Sequence, residues 1–410
     1  MKVGTGEFEF ILPHKLYEIG DWHDSTNSWP HAVEIGDVTR DGRNDVVLMT
    51  LLYGASPMND SILVYAQDGS GELRDPVAYS YVEGIPAGKR LYVPDGDVAL
   101  ADIDRDGFSD VLVAFGQRLL VMRSRPDGFD TRAYPIAEEF QGDPLEVESA
   151  QWMREMAVVD LDIDGDLDVV AFNIASSATA YYNNGDGTFT QSEAVFGFVE
   201  LPYDVKVSDF DRDGHDELVV LSGARTVHKI WIVDHHRPAG ETAYIEHVLP
   251  QGGWKYGGLA IGDWTGDRVP DIAVSVEKNT PVEIIVLKQG NAGELSSPFL
   301  IDTWEVPSGM LSADLNGDGW LDLFVDHAGW DMGYYLAGEN GLSPERIINH
   351  GRLGGNGFGS QLIAVGDINS DGCKDAVRAE SSLGLIVYVS RNCQARDHLL
   401  GGVLPPIRLN

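Results

Sequence analysis

No stretch of the 410-residue sequence approaches the roughly 18 consecutive apolar residues that a membrane-crossing helix needs. Insertion into a bilayer is therefore not expected. Positive charge is scarce too: 29 Lys and Arg stand against 65 Asp and Glu, a formal net charge of -36. So acidic a surface repels phosphate backbones and anionic headgroups, which excludes nucleic acid and membrane surfaces as expected partners. Two cysteines are too few for a disulfide framework, and no Cys/His group has zinc spacing. The G-x-S-x-G elbow, the phosphate loop and the H-E-x-x-H pair are all missing. MKVGTGEFEF is not a charged and then apolar leader, so an exported protein would carry its leader outside this sequence. Apolar side chains are plentiful at 43% of residues, enough for a large core and too many for a disordered acidic tail.

The acid is concentrated in one motif. A nine-residue pattern recurs seven times: DVTRDGRND from Asp37, DIDRDGFSD from Asp102, DLDIDGDLD from Asp160, DFDRDGHDE from Asp209, DWTGDRVPD from Asp263, DLNGDGWLD from Asp314 and DINSDGCKD from Asp367. Successive copies begin 65, 58, 49, 54, 51 and 53 residues apart. A unit of this length filling the chain predicts one domain over 1–410 built from seven repeats.

Each copy offers side-chain oxygens at positions 1, 3 and 5, usually a Gly at 6, a backbone carbonyl at 7 and a carboxylate at 9. A hard cation taking about six to eight oxygens requires alternate carboxylates around a tight turn, and Gly supplies the positive φ of that turn. Calcium is the expected cofactor, at up to seven sites. Its ligands would be Asp37, Thr39, Asp41, Arg43 and Asp45 in loop one, then Asp102, Asp104, Asp106, Phe108 and Asp110 in loop two. Loop three offers Asp160, Asp162, Asp164, Asp166 and Asp168, and loop four Asp209, Asp211, Asp213, His215 and Glu217. Loop five offers Asp263, Thr265, Asp267, Val269 and Asp271, loop six Asp314, Asn316, Asp318, Trp320 and Asp322, and loop seven Asp367, Asn369, Asp371, Cys373 and Asp375. Position 7 contributes only its carbonyl. An EF-hand is excluded, because position 12 is Leu48, Val113, Ala171, Val220, Val274, Val325 or Arg378 and never Glu. The competing reading, that Asp, Asn and Gly merely form turns, explains one or two such loops better than seven. Loops two, three and four have carboxylates at all four side-chain positions and should hold metal best. Loop five is expected to be weakest, with Arg268 at the Gly position and Gly266 nearby to reshape the turn.

A short β-run precedes each loop (HAVEIG, DVALA, EMAVV, DVKVS, GGLAIG, GMLSA, LIAVG), and the residue just before the first Asp is small in nearly every copy. That suits the crowded innermost strand of a radial array. Two further runs follow each loop, and a Gly-bearing turn such as DGTF at Asp186 opens a fourth. Four antiparallel strands repeated seven times predict an all-β, seven-bladed propeller. TGEF at Thr5 matches the turn before a fourth strand, so residues 7–17 should be the outer strand of the last blade and close the ring. Cys373 and Cys393 fall opposite each other across a hairpin centred near Ser382 and Leu383, close enough for a disulfide; two separate thiols are the alternative.

The seven D-x-[DNT]-x-D-G-x-x-D loops, each after an A-V-x-x-D-like strand, resemble the FG-GAP or VCBS repeat family of integrin α propellers, calcium-containing propeller lectins and secreted bacterial surface proteins. NNGDGTF at Asn183 and GGW at Gly252 are similar to the lectin branch. The resemblance implies calcium in the loops, a secreted or cell-surface setting and a recognition or adhesion role, with a glycan or a cell-surface protein as partner. It does not fix the ligand, because propellers host many functions.

Strand direction puts the acidic loops on one face and the lead-ins to the first strands on the other. Six tryptophans fall on segments of that second face: Trp22, Trp29, Trp152, Trp254, Trp304 and Trp330, joined by Tyr92, Tyr203, Tyr256 and Phe358. Flat rings beside polar groups suit stacking against pyranoses, and His31, Asp97, Arg154, Glu155 and Asp204 could orient a ligand. Packing between blades explains repeated aromatics equally well. An enzyme of the polysaccharide lyase type, using His23, His31, Tyr203 and Arg154, is the alternative of a different class, as is a docking domain of a larger surface protein. The loops hold 26 acidic and six basic residues, so more than half of the net charge belongs to the metal motif.

Overall fold

A computed structural model describes residues 7–11, 15–19, 26–54, 60–81, 96–115, 118–135, 153–173, 178–193, 201–224, 227–235, 244–249, 255–277, 283–290, 294–296, 298–327, 330–348, 362–380 and 383–393. Of these, 26–29, 51–54, 135, 193, 224, 255–257 and 276–277 are described by their backbone alone. The chain forms seven four-stranded antiparallel sheets, the blades of a propeller. The innermost strands are Thr26–Gly36, Gly96–Ala101, Met153–Val159, Pro202–Ser208, Lys255–Gly262, Gly309–Ala313 and Ile363–Gly366. Every nine-residue loop joins the first strand of its blade to the second, as the repeat requires.

The small residue before each loop has a steric reason. A Cβ on Gly366 of blade seven would lie 2.6 Å from Cγ2 of Ile35 in blade one, and one on Gly36 would lie 2.9 Å from Cδ1 of Leu100 in blade two. At these two junctions the aliphatic side chain of one innermost strand thus fills the space left by its neighbour, whereas at Gly262 the space is taken by Trp264 of the same blade. The core is correspondingly divided. Seven apolar clusters each sit between two adjacent blades, such as Val47, Met49, Val111 and Val113 between blades one and two.

Blade seven closes the ring with both ends of the sequence. Lys15–Tyr17 pairs with Gly384–Tyr388 as the outer strand, and Glu9–Phe10 pairs with Ser390–Arg391. Between them Ile11 N–H donates to Val389 O at 2.7 Å. Within the expected strand over 7–17, residues 9–10 and 15–17 are thus paired along blade seven, and residues 12–14 lie outside the described residues. Phe8 and Phe10 reach across to blade six, where Phe10 lies 5.8 Å from Phe324 and 5.5 Å from Tyr334. The disulfide forms between Cys373 and Cys393, with Cα atoms 5.6 Å apart. It ties the open end of the hairpin just beyond its last ladder pair, Ala376 with Tyr388.

Candidate metal loops and ligand face

All seven loops share one backbone. Positions 4 and 6 lie in the left-handed region throughout: Arg40 and Gly42, Arg105 and Gly107, Ile163 and Gly165, Arg212 and Gly214, Gly266 and Arg268, Gly317 and Gly319, Ser370 and Gly372. Loop five is not reshaped, contrary to expectation. It moves its Gly to position 4 and holds Arg268 at φ 64° in the position that glycine fills in the other six. For a residue with a Cβ this conformation costs about 1–2 kcal/mol.

Three recurring hydrogen bonds fix the turn. The position 1 carboxylate accepts the position 6 amide in every loop, as Asp37 accepts Gly42 N–H at 2.8 Å. The position 5 carboxylate accepts the position 7 amide, as Asp41 accepts Arg43 N–H at 3.0 Å. The buried position 9 carboxylate accepts the position 2 amide with one oxygen. Except in loop four, its other oxygen accepts an amide at the end of the third strand, for example Asn183 N–H to Asp168 at 2.8 Å. Position 9 is thus also a brace between the loop and the rest of its blade.

Several oxygens are left over. Among the described residues, Asp104 Oδ1, Asp160 Oδ1, Asp209 Oδ1, Asp314 Oδ1, Glu217 Oε1, Thr39 Oγ1 and Thr265 Oγ1 are buried without a hydrogen-bond donor. All belong to positions 1, 3 or 9. In loops two, three and four, carboxylate oxygens from these positions converge within 4.8 Å of one another: Asp102, Asp104 and Asp110; Asp160, Asp162 and Asp168; Asp209, Asp211 and Glu217. Oxygens on opposite sides of a hard cation, each about 2.4 Å from it, have that spread, so the donor set fits such an ion. Burial, partly offset by the amide donors, lifts the position 9 carboxyls to about 6 at Asp110, Asp168 and Asp271, about 7 at Asp322 and Asp375, and about 8 at Glu217.

The loops differ in what neutralises them. Arg125 bridges Asp104 at 3.0 Å and Asp106 at 3.3 Å in loop two, where Arg40 of loop one also reaches Asp106 at 2.8 Å. Lys288 lies 2.7 Å from Asp267 in loop five, and Arg43 pairs with Asp41 within loop one. Among the described residues, the carboxylates at positions 1, 3, 5 and 9 of loops three and four have no basic partner.

On the second face, the lead-ins to the first strands carry β-bulges in blades one, three and four, at His31, Arg154 and Tyr203. A bulge re-aims its side chain along the ring. His31 Nε2 accepts Gly96 N–H of blade two at 3.1 Å, and the Arg154 guanidinium stacks 5.4 Å from the centre of the Tyr203 ring of blade four. Arg154 and Tyr203 therefore meet, while Tyr203 also packs into the core between blades four and five. The acids beside them are buried and turned to backbone amides. Asp97 accepts Met156 N–H at 2.9 Å and Asp204 accepts Leu259 N–H at 2.7 Å, each across to the next blade. The inner edge of a first strand has no strand to pair with, and these carboxylates satisfy its amides. Glu155 is buried beside them, and Lys206 pairs with Asp204 at 2.7 Å. Burial raises Glu34 to about 7, with Lys206 pulling the other way. Trp22, Tyr92, Trp152, Trp254, Phe358 and His23 lie outside the described residues, and Trp29 and Tyr256 are described by backbone only, in first strands.

Trp304 and Trp330 are the tryptophans of this face whose rings are described, and they are exposed, at 47% and 37%. Their ring centres lie 6.4 Å apart at 81°. Polar groups beneath them hold the backbone. Trp304 N–H donates to Glu345 at 2.7 Å; Glu345 contacts His327 Nε2 at 2.8 Å; Trp330 N–H donates to His327 O at 2.7 Å. Arg378, 1% exposed, donates to Trp330 O at 2.9 Å while paired with Asp326 at 3.0 Å and Glu380 at 3.3 Å, both fully buried. The sequence reading missed this support, although a signal existed: Arg378 stands at position 12, which is apolar in the six other repeats.

The FG-GAP-like repeat matches residues 160–220 and 209–274, which span loops three, four and five. No curated protein matches the chain. Solved structures share the fold. A structure of BBS1N in complex with ARL6DN is 12% identical, covering 91% of this chain and 96% of that one with a TM-score of 0.57. An Agrocybe aegerita lectin, from work on specific recognition of non-reducing terminal N-acetylglucosamine, is 20% identical over 78% of this chain and 80% of its own, with a TM-score of 0.53. The Pan2 WD40 domain of Neurospora crassa is 11% identical over 88% and 89%, with a TM-score of 0.52. The chain is thus a seven-bladed β-propeller carrying FG-GAP-like repeats.

Proposed function

We propose that the protein is a secreted or cell-surface recognition module that binds glycans on the face opposite the acidic loops, with calcium bracing the loops. The observation that carries the reading is the exposed pair Trp304 and Trp330. Rings at nearly a right angle can stack beneath the face of a pyranose and along its edge, and the buried network under them keeps both in place before a ligand arrives. Likeness in fold to a lectin supports a glycan; likeness to BBS1N, solved with a protein partner, supports a protein surface as the second choice. Calcium would lie between positions 1, 3, 5, 7 and 9 of each loop, first in loops three and four, where, among the described residues, no basic side chain neutralises the carboxylates at positions 1, 3, 5 and 9. Glycan-array binding by the calcium-loaded protein is expected, and Trp304→Ala or Trp330→Ala should abolish it without moving the melting temperature. Binding that survives both substitutions would refute the placement, and unsaturated products from acidic polysaccharides would identify a lyase instead.

A further inference from the structure

On the loop face, between blades four, five and six, lies a cavity of about 500 Å³. Val269 and Pro270 of loop five and Trp320 and Leu321 of loop six form its walls, with Lys206 and Arg268 also lining it. Leu321 is 47% exposed there. The charges at this cavity are accounted for, with one exception. Lys206 is paired with Asp204. Asp263 spends both oxygens on amides of its own loop, and Asp318 accepts from Trp320 N–H and Asn316 Nδ2. Arg268, an exposed residue, alone keeps a guanidinium that, among the described residues, meets no acid or carbonyl. The same residue occupies a left-handed position that six sister loops give to glycine. Backbone strain kept at a cavity, by a side chain that serves no contact within the fold, points to a ligand.

We propose that this cavity binds a carboxylate carried on a flat apolar body, such as an aromatic carboxylate, with Arg268 taking the carboxylate and Trp320 the ring. Guanidinium matches carboxylate in a planar, two-bond geometry, and an indole beside it offers a stacking surface to the rest of the molecule. The volume lies within the usual range for small-molecule sites, about 300–1,000 Å³. At a net charge of -36 the protein as a whole does not attract anions, so recognition rests on these local contacts. The site is independent of the glycan reading, since Trp304 and Trp330 lie on the opposite face.

The test titrates the full calcium-loaded chain with naphthalene-2-carboxylate and, in parallel, with the neutral naphthalene-2-carboxamide. The wild type should bind the carboxylate at least tenfold more tightly than the amide. Arg268→Gly should melt at the same or a higher temperature, because it restores the sister-loop residue, and should lose that tenfold preference. Trp320→Ala should weaken both ligands. No binding by the wild type, equal affinity for the two ligands, or full carboxylate affinity in either variant would overturn the proposal. So would a lower melting temperature for Arg268→Gly, which would assign the guanidinium to the fold.

Discussion

Arg378→Met perturbs stability and ligand binding together, and its size can be worked from the structure. The guanidinium lies between Asp326 and Glu380, at 3.0 and 3.3 Å, and all three side chains are buried. Removing the cation leaves two carboxylates out of water with no counter-charge, a change that costs about 3–5 kcal/mol. Unfolding entropy near 2.1 cal/mol/K per residue amounts to ~0.9 kcal/mol/K for a chain of this length, so the melting temperature at pH 7.5 should fall by roughly 3–6 °C. Trp330 also loses the donor to its carbonyl, so glycan binding should weaken as well. Differential scanning calorimetry at pH 7.5, on protein with saturating calcium, supplies the numbers. A loss below 1 kcal/mol would refute the account of a mutually dependent buried triad. The triple change Arg378→Met, Asp326→Leu, Glu380→Leu should recover most of the loss, because replacing a whole buried ionic group with apolar side chains is often neutral.

Removing metal with EDTA should lower the melting temperature by several degrees, since the buried oxygens of Asp160, Asp209 and Glu217 then lack any positive partner; an unchanged melt contradicts the bracing role. Terbium luminescence titration should count fewer sites in Asp162→Asn and Asp211→Asn, and one more in Lys288→Gln, where loop five loses its own cation; identical counts in Lys288→Gln and wild type would mean that Lys288 does not substitute for metal. Glu34, raised to about 7 by burial, favours the folded state while protonated, so that contribution fades as pH climbs from about 4.5 through 7. Glu34→Gln should therefore flatten the decline in stability over that window, and a variant with the wild-type slope would argue against it. Cys373→Ser opens a bridge between residues 20 apart in sequence, which should cost about 3 kcal/mol, read as a shift in the urea midpoint at constant m.

The blades, the loops and the bridge were legible because each follows from a local pattern that recurs. Gly36 and Gly366 marked the crowded inner strand before any neighbour was known, and the structure supplies Leu100 and Ile35 as the side chains that need the space. The backbone of loop five was misread because glycine was counted at one position, whereas the turn has two left-handed positions. Asp97 and Asp204 looked like ligand groups because sequence does not reveal which backbone amides lack a partner; the inner edge of the ring takes them up. The support under Trp304 and Trp330 joins residues from blades six and seven, more than 70 positions apart between Trp304 and Arg378, and only packing brings it together.

Ring closure by the N-terminal segment has a kinetic side. Glu9 pairs with Arg391, so its contacts arise only after a loop of some 380 residues has closed. The entropy of such a closure, growing as 1.5 RT ln n, is roughly 5 kcal/mol before constants, and little is recovered until Phe8 and Phe10 dock against Phe324 and Tyr334. During synthesis Phe8 and Phe10 must wait for the last blade. Until then blade seven has no outer strand, and the nascent ring keeps an open edge on which another chain could pair.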